Sequence, residues 1–230
     1  MNIILILSVV CGCLNTAMAE PILHFGFDDE MPGSKPRKWE VLGGGIGTNL
    51  AYISNMEWVS PRQCLVIDGS AGLLVGASEV NKITNGWAVI SFCFKLQGSG
   101  ADVGGLSFRV TDRATNRPPA VVGSTVYLGF KTVRLGTAQL GNWEKDRWHR
   151  VVLWFPTQGG QQQTAHGLLQ RQKPDLTWET VGKRESIPAS PPGTYESLQL
   201  GGNGPHSVAC FDEFIALSQM TLDVPELLRK

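Results

Sequence analysis

The stretch from Lys145 to Phe155, K-D-R-W-H-R-V-V-L-W-F, constrains this chain more than any other. A polar turn runs there into residues that are almost all β-formers, among them Trp148, Val151, Val152, Trp154 and Phe155. No other segment joins such strand propensity to so much apolar bulk. It is therefore read as a central strand, against which the neighbouring segments must pack.

Those neighbours are short and extended. Trp87 to Leu96 alternates, with Ala88, Ile90, Phe92, Phe94 and Leu96 on the core face and Cys93 pointing away from it. Further strands are expected at Asn49 to Ser54, Cys64 to Asp68, Leu106 to Thr111, Thr125 to Phe130 with a continuation through Leu135, His166 to Arg171, Leu176 to Val181, Tyr195 to Leu200 and Val208 to Ser218. At the start, Leu23, Phe25 and Phe27 alternate onto one face before the acidic cluster Asp28-Asp29-Glu30. The breakers between Ser186 and Gly193 are expected to form a loop. Gly (27) and Pro (13) punctuate the runs, and no helix-period stretch of useful length follows the leader. The fold class is an all-β, two-sheet antiparallel sandwich of jelly-roll type.

At 230 residues one such domain accounts for the whole chain. Residues 1–19 read as a signal peptide ending in Ala17-Met18-Ala19, residues 20–222 as a single sandwich, and residues 223–230 as a tail or one helical turn. The apolar leader is too short to span a bilayer core of about 30 Å. Val10-Cys11-Gly12-Cys13 offers a second export route, a loose lipobox that would place a lipid on Cys13. Secretion, or a place in the periplasm or cell envelope, is the expectation. Twenty basic residues balance twenty acidic ones, so no broad field favours nucleic acid. An oxidising compartment would allow one disulfide among Cys64, Cys93 and Cys210; the spacing does not choose the pair.

Three segments carry a family resemblance. Phe25-Gly26-Phe27-Asp28-Asp29-Glu30, Trp148-His149-Arg150-Val151 and Phe211-Asp212-Glu213-Phe214-Ile215-Ala216-Leu217 resemble the opening, "WHxV" and closing "DEhxh" strands of laminin-G-like, concanavalin A-like jelly rolls. The resemblance implies an exported lectin-type module that binds extracellular polysaccharide or glycan, in a superfamily that also contains lyases and hydrolases. One departure is the hairpin after the "WHxV" strand. There Gly167 to Asp175 replaces the short "vyvDG" turn of many members.

The resemblance also implies a structural calcium ion between the chain ends. Asp28, Asp29 and Asp212 are its expected ligands, since a hard cation needs several oxygens. Asp212 is expected on the face of its strand opposite Phe211 and Ile215. For sugar stacking, Trp58, Trp87, Trp143 and Trp178 are the candidates, because each lies at a strand end or on the more polar side; Trp39, Trp148 and Trp154 are assigned to packing. Asn142 and Asn203 are possible hydrogen-bonding partners in Gly-rich loops.

Catalytic patterns are incomplete. Glu144-Lys145-Asp146-Arg147-Trp148-His149 begins like the E-x-D-x-x-E of retaining glucanases, but His149 takes the place of the last acid. Lyases of this fold use a Tyr and a His with Gln and Arg support; His149, Arg150 and Tyr127 could be cast in those roles, though no spacing enforces it. A non-catalytic binding or adhesion module is the reading taken, with a polysaccharide lyase or glycoside hydrolase as the alternative and a ligand-free structural envelope protein as the third.

Overall fold

The computed structural model describes residues 23–37, 40–42, 51–60, 62–68, 72–76, 86–97, 106–112, 126–129, 131–135, 138–156, 164–188, 195–201 and 208–229. The signal-peptide and Cys13 expectations, Trp39 and Asn203 lie outside the described residues, as do the side chains of Leu23, Phe25 and Tyr127.

Fifteen strands are described: β1 (Leu23–Phe25), β2 (Glu40–Leu42), β3 (Ala51–Ser54), β4 (Cys64–Asp68), β5 (Gly72–Gly76), β6 (Trp87–Gln97), β7 (Leu106–Asp112), β8 (Val126–Gly129), β9 (Thr132–Leu135), β10 (Ala138–Asn142), β11 (His149–Pro156), β12 (Thr164–Gln172), β13 (Trp178–Pro188), β14 (Tyr195–Gly201) and β15 (Val208–Gln219). They form two sheets. One runs β13-β12-β11-β6-β15-β4-β3, with β1 also paired to β15; the other runs β10-β9-β8-β7-β14-β5-β2. The pairings in both sheets are antiparallel, so the sandwich is the expected one.

The strand β11 lies between β6 and β12, a central place that its composition explains. Val151, Leu153 and Phe155 join the core between the sheets, while Val152 and Trp154 join a second apolar cluster on the outer side. A strand buried on both faces needs apolar residues at successive positions, which is what this run supplies. On β6 the alternation falls as expected, with Ala88 to Leu96 in the core and Cys93 in an outer cluster.

Four sequence expectations change. Lys131 adopts φ 58°, which reverses the chain, so β8 and β9 form a hairpin rather than one continuous strand. Strand β1 stops at Phe25 because the buried Phe27 takes a left-handed φ of 59°. Strand β13 runs on to Pro188, through part of the expected loop. Lastly, Phe211 and Ile215 do not share a face. Between Asp212 and Ile215 the register against β6 shifts by one residue, and Glu213 has φ 48°. This is a β-bulge. It returns Phe214 and Ala216 to the core that Phe211 fills and sends Ile215 and Leu217 to the outer cluster.

The sheets meet closely along one edge. A Cβ on Gly182 of β13 would lie 2.1 Å from the Leu140 carbonyl oxygen of β10, and one on Gly167 would lie 2.6 Å from the Leu140 side chain. Beyond β15, the terminal segment folds back. Its 3-10 turn at Glu226–Leu228 places Leu228 in the outer cluster with Val152, Trp154 and Ile215.

A candidate ligand face on the eight-stranded sheet

The bulge in β15 does more than reset the core. It brings two consecutive acids, Asp212 and Glu213, to the outer side of the eight-stranded sheet. Strand β1 pairs beside them, with His24 opposite Ile215, so His24 Nε2 lies 3.1 Å from Glu213 Oε2. The chain ends thus lie side by side, as the resemblance implied.

Across β6, strand β11 presents Arg150 to the same side. The residue is 5% exposed, an unusual place for a cation. Arg150 Nε donates to Gln170 Oε1 at 2.8 Å, Nη2 donates to the Leu228 carbonyl, and the group lies 4.4 Å from the ring centroid of Trp178. Among the described residues no carboxylate lies within salt-bridge distance of it. The aromatic face and two carbonyl-type oxygens therefore stand in for an anionic partner. Burial lowers its pKa, though a guanidinium stays charged at neutral pH.

Arg150, Trp178, His24 and Glu213 line one cavity of about 210 Å³, closed by Val59 and Ser60 of the β3–β4 loop and by Leu227 and Leu228 of the terminal turn. Burial opposes the ionised Glu213, but hydrogen bonds from His24 and Ser60, with the charges of His24 and Arg150, leave its pKa below the usual value. The Glu213 hydrogen bond in turn raises His24. The cavity wall therefore carries a half-exposed imidazole paired with a more buried carboxylate, beside the buried Arg150. Beyond the terminal segment, a second cavity of about 320 Å³ is lined by Trp154, His166, Lys183 and Val224.

Asp212 is engaged as a hydrogen-bond acceptor. It is fully buried, and its Oδ2 accepts from the Val59 and Ser60 amides at 2.8 and 3.0 Å while Oδ1 accepts from the Glu213 amide at 2.8 Å. The Ser60 hydroxyl adds longer contacts of 3.3 Å. Burial pushes its pKa up to about 7, against those amide bonds. Three of its roughly four lone-pair sites are thus taken by backbone N–H donors. Asp28 Oδ1 accepts the Gln63 amide at 3.2 Å, and Asp29 is exposed. Among the described residues no group of three or more acids, histidines or cysteines is disposed to hold a metal. The chain ends bring these acids together, and among the described residues Asp212 acts as an anchor for the β3–β4 loop.

The four candidate tryptophans separate. Trp178 lines the cavity, and the exposed Trp58 (45%) sits on the loop whose next two residues close it. Trp87 is half-buried, edge-on to His166 with centroids 5.2 Å apart. Trp143 is not a solvent-facing ring: it is 8% exposed, belongs to the core, and donates Nε1–H to the Gly129 carbonyl at 2.7 Å. It follows β10, whose Leu140 also points into that core, so the chain enters the next turn with the ring directed inward.

His149 also leaves the list of candidates. Strand alternation sends it inward, where it stacks on Phe94 with centroids 5.4 Å apart. Nδ1–H donates to the Arg147 carbonyl at 3.0 Å, and Nε2 accepts the Glu144 amide at 3.3 Å. Burial lowers its pKa to about 4, so the ring is neutral and both nitrogens are engaged. Asn142 is exposed and accepts from Gln139 at 3.0 Å. Glu144 pairs with Arg147 and Arg171.

Sequence reasoning did not single out His24, Ser60 or Leu228. A lone histidine at the start of the chain carries no signal until its strand is paired with β15. The adjacent acids Asp212-Glu213 were the available clue, since two charged residues inside an apolar strand need either a bulge or a buried partner.

No family model and no curated protein sequence matches this chain. Its fold does match solved structures. An alginate lyase from Aplysia kurodai superposes with a TM-score of 0.56 at 10% identity, over 87% of this chain and 100% of that one. A carbohydrate esterase from the Shiga toxin-encoding bacteriophage phi24B gives 0.55 at 13% identity, over the same shares. Botulinum neurotoxin type C, whose cell entry depends on two ganglioside molecules, gives 0.51 at 8% identity, over 83% of this chain and 44% of that one. The chain has the concanavalin A-like jelly-roll fold.

Proposed function

We propose that this chain is an exported carbohydrate-binding module whose ligand face is the outer side of the eight-stranded sheet at Arg150, Trp178, His24 and Glu213. The observation that carries the reading is the buried Arg150 held on the Trp178 ring at a cavity wall. A guanidinium fixed in this way donates in a set direction, and an aromatic ring beside it offers a surface for sugar C–H groups. The cavity of about 210 Å³ suits a single sugar ring, being smaller than the ~300–1,000 Å³ of sites that enclose drug-sized ligands. Exposed Trp58 on the adjoining loop extends the same surface. Similar folds in proteins that act on alginate, act on carbohydrate esters or engage gangliosides support the ligand class. The small-x-small end of the leader supports export.

Calcium has no part in this reading, because the Asp212 oxygens are taken by amide donors. Hydrolysis is disfavoured by the carboxylates themselves: Asp212 is buried and Glu213, its neighbour in the chain, is held by His24, so the two do not flank a bond. The Ser60 hydroxyl bonds carboxylates rather than a histidine. One observation favours a lyase as the second reading. The half-exposed His24 lines the same cavity as Arg150, whose guanidinium is bonded to Gln170.

The test is a polysaccharide and glycan panel probed with the wild-type chain and with Trp178→Ala and Arg150→Gln. Binding that falls at least tenfold in both variants supports the site. A wild-type chain that binds nothing in the panel overturns the reading, and formation of unsaturated product from an acidic polysaccharide would replace it with the lyase.

A further inference from the structure

The terminal segment divides one surface into two cavities. Arg150, Val152 and Trp154 are alternate residues of β11, opposite Gln170, Leu168 and His166 of β12, so all six face the outer side of the sheet. Arg150 lines the cavity of about 210 Å³, and Trp154 and His166 line the one of about 320 Å³. Between them, Val152 and Leu168 share an apolar cluster with Leu228 and Val224 of the terminal segment. Leu227 and Leu228 close the first cavity, while Leu222, Asp223 and Val224 line the second. Without that segment the row from Arg150 to Trp154 is one groove, about 13 Å long at a strand rise of about 3.3 Å per residue.

The segment fills the middle of this groove incompletely. Leu228 is buried, and its carbonyl accepts from Arg150. Trp154 Nε1–H, sealed from solvent, has no hydrogen-bond partner. A buried donor left in this way bears the full cost of the water it lost. On its outer side the segment shows Met220, Leu222 and Leu227, which are 75%, 43% and 37% exposed, so this apolar surface gains little from the closed position. Its turn is closed on itself: the Leu228 amide donates to the Pro225 carbonyl at 2.9 Å and the Arg229 amide to the Glu226 carbonyl at 3.0 Å. The β15 ladder ends before it, at Gln219. The turn can therefore lift as a unit while the sheet stays paired.

We propose that residues 224–228 are a displaceable strap across a single ligand groove, and that the occupant which displaces it is a linear saccharide spanning both cavities. Such a chain carries acceptor oxygens along its length, so it replaces the Leu228 carbonyl on Arg150 and supplies the acceptor that Trp154 lacks. The occupant rests on the carbohydrate reading above; the strap does not.

The experiment follows the tryptophan indole N–H signals by NMR during exchange into deuterated water, with Trp154 identified by the signal lost in Trp154→Phe. In the wild-type chain Trp154 Nε1–H should exchange at least tenfold faster than the slowest amides of β6 and β11. Leu228→Ser should speed it by a further tenfold or more while those amides keep their protection. Exchange of Trp154 only in step with the β6 and β11 amides would overturn the strap. Binding is then measured with alginate and xylan, a charged and a neutral chain. Leu228→Ser should bind at least one of them about tenfold or more tightly than wild type, because the wild-type groove is open for only a small fraction of the time. Equal affinities, or no binding of either probe by either protein, would overturn the saccharide occupant. Equal affinities that still fall in Trp178→Ala would leave the binding site standing and remove only the strap from its control.

Discussion

Arg150 lies over the ring of Trp178, with its guanidinium carbon 4.4 Å from the ring centroid, although the two residues come from strands separated by β12. The contact links the central strand to the edge of its sheet and makes the cation part of a packed surface. Trp178→Ala removes that surface and opens the cavity. The expected loss of stability is about 1–2 kcal/mol, measured by urea unfolding, and an unchanged midpoint would mean that Arg150 is held by Gln170 and Leu228 alone.

Truncating the arginine should cost more than truncating the ring. Arg150→Ala strands the side-chain oxygen of the buried Gln170 and the carbonyl of the buried Leu228 without their donor. Roughly 2–4 kcal/mol is expected. Arg150→Met, which keeps most of the stem against Trp178, should recover part of this loss in the same measurement.

Two buried groups give opposite responses to pH. Asp212 has a folded pKa of about 7 and an unfolded one of about 3.9, so the fold holds its proton more tightly. Its contribution is fully present below about pH 4 and is lost as pH rises toward 7. His149 has a folded pKa of about 4 and an unfolded one of about 6.5, so its contribution is present above 6.5 and is lost as pH falls toward 4. Between pH 4 and 6.5 the two oppose each other. Relative to wild type, Asp212→Asn should become more stable with rising pH across that window, and His149→Leu should become less so. Parallel denaturation series for the three proteins decide it; identical slopes would refute both assignments.

Gly182 marks where the sheets nearly touch. A methyl group there meets the Leu140 carbonyl at 2.1 Å and the Gly141 Cα at 3.0 Å, both backbone atoms that cannot swing aside. Gly182→Ala should therefore destabilise by about 2 kcal/mol or more. The control is Gly33→Ala: that glycine has open space around it, and only its φ of 80° opposes a side chain, at a cost of about 1 kcal/mol. Equal losses in thermal melts would show that edge closure is not tight.

Chelation offers a further check. With the Asp212 oxygens committed to amide donors, excess EDTA should leave Tm unchanged, and a lowered Tm would return a cation to the chain ends.

The architecture was legible because alternation survives in the long strands. Trp87 to Leu96 could be assigned face by face, and Cys64 to Asp68 matches its strand end to end. What failed were the places where one backbone angle changes sign. Lys131, Phe27 and Glu213 adopt left-handed φ values without being glycine: Lys131 turns the chain between β8 and β9, Phe27 lies just past the end of β1, and Glu213 lies in the register shift of β15. The error at Glu213 put Ile215 on the wrong face, and it also concealed the pairing of Glu213 with His24. Trp178 lines the cavity, and polar neighbours mark its place at a strand start. Trp143 was misjudged by the same rule, since the Asn and Glu beside it are exposed while its ring turns inward to the Gly129 carbonyl. Strand β2 has three residues, too few for a period to register, and β5 and β10 carry glycines that break the alternation.

The pairing of β1 with β15 also has a meaning in time. His24 and Glu213 are 189 positions apart, so a chain growing at about 5–20 residues per second makes the first of them roughly ten to forty seconds before the second. Throughout that interval β1 has no partner, and the strands destined for the middle of the sheet lack the neighbour that β15 will become. The cavity wall is thus assembled only once nearly the whole polypeptide exists. A truncated nascent chain is expected to resist proteolysis no better than an unfolded one until β15 has emerged, and protection should then appear in a single step.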